Sequence, residues 1–118
     1  MIYLNSYKTW MFIAYTLLIV CFSLSSDIQI KIFPNLWKYD KIVHFIEYFG
    51  LGFLFVNMLS IKPLIRKTLV YSLFFILLFP LFDESLQYFT PNRIPDIYDV
   101  FADFCGGTMG LLLRYYFK

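Results

Sequence analysis

Four long apolar runs, at roughly residues 9–26, 42–61, 68–89 and 97–117, occupy most of this 118-residue chain and limit what it can become. A helix needs about 20 mainly apolar residues to cross the hydrocarbon of a bilayer. Within lipid, a spanning segment must satisfy its backbone hydrogen bonds internally, which selects helices. The expected fold is an all-α integral membrane protein: a single domain over 1–118, built as a four-helix bundle with short loops in up-down-up-down order. Composition agrees, because 60% of the residues are hydrophobic and only 15% charged, whereas soluble domains carry about a quarter charged residues. A net charge of +2 without a dense basic run excludes a nucleic-acid footprint. Cys21 and Cys105 lie in apolar segments without metal-ligand spacing, and read as small packing residues.

The first run has a second reading. A start containing Lys8, an apolar core of about 15 residues and the small pair Ser25-Ser26 also describe a secretory signal peptide. A retained helix is favoured, because Trp10 and Tyr15 lengthen the span and the other apolar helices need partners. Residues 27–40 hold Lys31, Pro34, Trp37, Lys38 and Tyr39, a composition suited to an interfacial loop. Asp40 is placed to cap the second helix, and Pro80 to kink the third one turn before Glu84. Lys8, Lys62, Arg66, Lys67, Arg114 and Lys118 fall on one side of the predicted bundle, with Lys31, Lys38, Lys41 and Arg93 on the other. The purely basic 62–67 loop puts both termini in the cytoplasm under the positive-inside rule, with all eight acidic residues on or near the opposite side.

The acids are the chemical signal. Asp96, Asp99, Asp103 and Gly106 are spaced by three, four and three, within about a quarter turn of one helical face. The intervening Ile97, Tyr98, Val100, Phe101 and Phe104 are too apolar for that face to be a solvated stripe. Carboxylates at membrane depth are costly unless paired or hydrated, which marks them as functional-site residues. Asp40, His44 and Glu47 likewise share a face. The topology then directs His44, Glu47, Glu84, Gln87, Arg93, Asp96, Asp99 and Asp103 into one cavity opening away from the cytoplasm. Gly106 and Gly110, four apart, are expected to let helices pack closely.

Three motifs in order, Asp40-Lys41-x-x-His44-Phe45-x-x-Tyr48-x-x-Leu51-Gly52, Glu84-x-x-Gln87-x-Phe89 and Arg93-x-x-Asp96-x-x-Asp99-x-x-x-Asp103-x-x-Gly106-x-x-x-Gly110, resemble the VanZ-like family. The resemblance implies a small multi-pass protein of the bacterial cell membrane, associated in some members with reduced susceptibility to teicoplanin. Similar proteins usually carry Asn where this chain has Asp103, which adds a potential charge.

Three chemistries fit these residues. In the first, Lys41, His44, Glu84, Gln87, Arg93, Asp96, Asp99 and Asp103 recognise an envelope ligand. Lys41 and Arg93 would grip a phosphate or carboxylate, or else neutralise neighbouring aspartates. The ligands considered are membrane phospholipid, a lipid-linked cell-wall precursor and a lipoglycopeptide. In the second, His44 acts as a general acid or base, or joins Glu47 and Glu84 at a metal. There is no HExxH or phosphatase signature, so an enzyme is not favoured and no cofactor is assigned. The third is a polar network that only holds helices together. An ion-coupled transport pathway ranks below binding, because four short helices enclose little space.

Overall fold

The computed structural model describes residues 3–4, 6–25, 39–60 and 66–117. The proposed interfacial loop and most of the basic 62–67 loop lie outside those residues. Among the described residues four helices make up the bundle: α1 (Ser6–Leu24), α2 (Asp40–Met58), α3 (Arg66–Tyr88) and α4 (Ile97–Tyr116). Two short strands, β1 (Tyr3–Leu4) and β2 (Leu59–Ser60), pair antiparallel with Tyr3 opposite Ser60. This pairing ties the start of α1 to the end of α2. It also stops α2 at Met58, short of the expected residue 61.

Helices α1, α2 and α3 are long and apolar enough to cross a membrane, and the protein is a membrane protein. Helix α4 is equally long, at 20 residues, but Asp99, Asp103 and Arg114 lower its hydropathy. Its two aspartates are buried at 4% and 1% exposure. They account for the difference, since they face protein.

The outward faces are apolar. Trp10, Leu17, Leu18, Phe74, Leu78, Phe101 and Met109 are all exposed, the pattern expected where lipid is the solvent. The interior is correspondingly compact. Ile19, Tyr48, Leu51, Val56, Ile76 and Leu111 form the core, beside a ladder of rings in which Phe55 and Phe75 stack at 4.6 Å and Phe75 and Phe79 at 5.4 Å.

Helices α2 and α4 make the closest approach, and glycine is the reason. A Cβ on Gly106 would strike the backbone of Phe45, one on Gly110 that of Phe49, and one on Gly52 that of Gly107. Backbones without side chains between them can meet directly. Gly106 and Gly110 thus pack on the backbone of Phe45 and Phe49, and Gly52 on α2 adds a third close approach, to Gly107. At the far end Arg114 Nε donates to Asn57 Oδ1 at 2.9 Å, pinning the end of α4 to α2.

One local expectation changes. Asp40 is the first helical residue of α2 rather than its cap. That place belongs to Tyr39, without a side-chain capping bond, because the Asp40 carboxylate turns toward Lys41 and His44. The third apolar run does continue as a helix past Pro80, which is fully buried, as far as Tyr88. This continuation carries Asp83, Glu84 and Gln87 into the bundle.

Candidate functional site

The acidic ends of the helices converge. The start of α2, the end of α3 and the start of α4 lie at one end of the bundle, with Lys8, Arg66, Lys67 and Arg114 toward the other. The turn from α3 to α4 is built by Thr90, Pro91, Asn92 and Arg93. The Arg93 amide donates to the Thr90 carbonyl at 3.3 Å, and Asn92 has φ 62°. Proline followed by a residue of positive φ is the type II arrangement, and Asn tolerates that region better than most side chains. Asp96 then caps α4, its Oδ1 accepting from Tyr98 N at 2.9 Å.

Two polar layers result. The upper one joins α2 to α4. Lys41 Nζ donates to Asp96 Oδ2 at 2.6 Å and to Asp99 Oδ1, and stands 3.9 Å from Asp40 Oδ2. The ammonium beside Asp96 holds that exposed carboxyl below the usual carboxylate range. Beneath it, His44 Nδ1 lies 2.8 Å from Asp103 Oδ1. Both side chains are buried, and the imidazole Nε2 is 3.7 Å from Asp40 Oδ1 and from Asp99 Oδ2.

The second layer belongs to α3. Tyr48 donates its hydroxyl to Asp83 Oδ2 at 3.1 Å. Glu84 Oε1 accepts from the Asp96 amide, so that α3 holds the start of α4. Asp83 Oδ1, Glu84 Oε2 and Gln87 Nε2 are buried with no hydrogen-bond partner. Buried polar atoms are rarely left this way, and each calls for an explanation in strain, in a bound water or ion, or in a ligand. Beside Glu84, an open groove of about 500 Å³ runs between α3 and α4, walled by Leu81, Tyr88, Ile97 and Val100.

The residues singled out from sequence therefore divide. Lys41, His44, Asp96, Asp99 and Asp103 meet at the α2–α4 contact, whereas Glu84 and Asp96 line the groove. Gln87 is buried on α3, and Arg93 exerts its charge on Asp40, Glu47 and Asp83. The metal grouping of His44 with Glu47 and Glu84 is not the one the fold assembles. Among the described residues, ligand atoms of Asp40, His44 and Asp99 lie within 4.8 Å of one another, because the face of α4 bearing Asp99 is the one packed on α2.

Sequence reasoning left out Asp40, Tyr48 and Asp83 as site residues. Asp40 carried a usable signal, its spacing of four from His44. Tyr48 carried one too, its place in the first motif four residues after His44, whereas its pairing with Asp83 is visible only in the tertiary contact.

A model of the VanZ/LLP1 family matches residues 2–118. No curated protein and no solved structure matches the chain.

Proposed function

The chain belongs to the VanZ/LLP1 family, and from that premise we propose that this membrane protein recognises an envelope ligand at the outer face of the bacterial cell membrane. The ligand's polar head meets the acidic ends of α2, α3 and α4, and its hydrocarbon lies in the groove between α3 and α4. Orientation follows from charge. Lys8, Arg66, Lys67 and Arg114 mark the cytoplasmic end, and the carboxylates face outward.

The observation that carries this reading is Glu84. It is 91% buried by its 9% exposure, lines an apolar groove, uses Oε1 to hold the Asp96 amide, and keeps Oε2 unpartnered. Such an atom invites a donor from the ligand: a hydroxyl, amide or ammonium group. Asp83 Oδ1 adds a second acceptor, and Lys41 is engaged by Asp96 and Asp99. The cluster thus favours a donor-rich head over a bare phosphate. Lipid-linked cell-wall precursors and lipoglycopeptides both combine such a head with a long hydrocarbon, and capture of either supports a contribution to teicoplanin resistance.

The test is teicoplanin susceptibility of a Gram-positive host carrying the wild-type protein, Glu84→Gln or an empty vector, at matched membrane abundance. Wild type is expected to protect and the variant to lose most of that protection. Gln retains an acceptor for the Asp96 amide, so the fold survives the change. Equal protection by both proteins would remove Glu84 from the site. If wild type does not protect, the resistance role falls.

A further inference from the structure

The second ring nitrogen of His44 has no part in the proposed recognition. Its Nδ1 is committed to Asp103 Oδ1 at 2.8 Å, and a carboxylate can only accept, so Nδ1 carries a proton. Nε2 then turns toward two carboxylate oxygens, Asp40 Oδ1 and Asp99 Oδ2, each 3.7 Å away. That distance is too long for a hydrogen bond. His44 as a residue is only 5% exposed. One ring nitrogen of a buried histidine thus faces two carboxylate oxygens and is bonded to neither.

We propose that Asp40, His44 and Asp99 bind a first-row divalent cation, zinc or manganese, at the α2–α4 contact. Ligand atoms about 2.1 Å from such an ion sit about 3.0–3.5 Å apart, so the two histidine distances need to contract by only a few tenths of an ångström. The outer shell is already built. A metal-bound imidazole generally gives its other N–H to a carboxylate, which fixes the ring and raises its basicity; Asp103 stands in that position. The remaining oxygens of Asp99 and Asp40 face Lys41, which balances their charge from the opposite side. One nitrogen with two oxygens suits zinc or manganese better than calcium or magnesium, which prefer oxygen alone. Three protein ligands leave coordination positions for water or a ligand oxygen.

The experiment uses the full chain in nanodiscs, stripped with chelator and titrated calorimetrically with Zn²⁺, Mn²⁺, Mg²⁺ and Ca²⁺. One Zn²⁺ or Mn²⁺ per chain is expected, with Mg²⁺ and Ca²⁺ much weaker. Asp40→Asn, at the partly exposed edge of the site, should weaken binding strongly. Asp103→Asn, which removes no ligand, should weaken it by about 10- to 100-fold. Lys41→Met should tighten it, because a competing positive charge is gone. A purely structural cluster predicts no saturable binding, and that result overturns the proposal. So does binding that both Asp40→Asn and Asp103→Asn leave unchanged. Melting temperatures of the stripped variants separate loss of metal from loss of fold.

Discussion

Replacing Gly106 by alanine tests whether the α2–α4 contact sets the geometry of the site. A Cβ at this position lies 2.9 Å from the Phe45 carbonyl carbon and 3.0 Å from its Cα, where ordinary contact is 3.4–4 Å. The obstacle is helix backbone, which cannot rotate aside. The Phe45 carbonyl oxygen is closer still, so the helices must separate by about 1 Å or more in an interior that is close-packed. His44 adjoins Phe45, and Asp103 lies one turn before Gly106. Their 2.8 Å bond would stretch to about 3.8 Å, past the limit of hydrogen bonding. Overpacking of this kind costs about 1–3 kcal/mol.

Gly50→Ala is the control. Its Cβ would meet Tyr15 Oη and Cζ, the far end of a side chain that can swing away and give up its 2.9 Å bond to the Glu47 carbonyl. The helix-propensity gain of alanine over glycine is common to both variants, so their difference reports the backbone clash. Reversible unfolding in mixed micelles should place Gly106→Ala below Gly50→Ala by about 1–2 kcal/mol, while imidazole ¹⁵N shifts report the altered His44 bond. A Gly106→Ala protein as stable as Gly50→Ala, with unchanged His44 signals, would refute the argument.

Tyr48→Phe should destabilise by about 1–2 kcal/mol, since it leaves Asp83 Oδ2 short of a donor; adding Asp83→Leu should recover much of the loss in the same unfolding assay. Asn92→Val should cost about 1 kcal/mol or more because a β-branched residue resists the positive φ of this turn, whereas Asn92→Gly should be nearly neutral; thermal melts distinguish the two. The Asp96 carboxyl, held low by Lys41, contributes stability that is present above its unfolded value of about 3.9 and lost as pH falls through its lower folded value. Carboxyl NMR titration should show this pKa returning toward the ordinary range in Lys41→Met.

Much of this architecture can be read along the chain. Apolar runs locate the four helices to within a few residues, and the spacing of Asp96, Asp99, Asp103, Gly106 and Gly110 identifies the face of α4 that packs inward. Departures occur where a local rule met a nonlocal partner. Asp40 has the chemistry of a cap, but its carboxylate is drawn toward Lys41 and His44. Residues 59–60 are apolar enough to prolong α2, yet they pair with Tyr3–Leu4.

What the sequence by itself determined is the class of solvent and the periodicity of each helix, because hydropathy and a 3.6-residue repeat are properties of neighbours along one chain. The tertiary structure alone decided the pairings: Lys41 with Asp99, His44 with Asp103, Tyr48 with Asp83, and Gly52 with Gly107. Those contacts join residues 35 to 59 positions apart. Any of several acids could have met His44. Only the close approach of α2 and α4, made possible where glycine leaves no side chain between backbones, selects which one does.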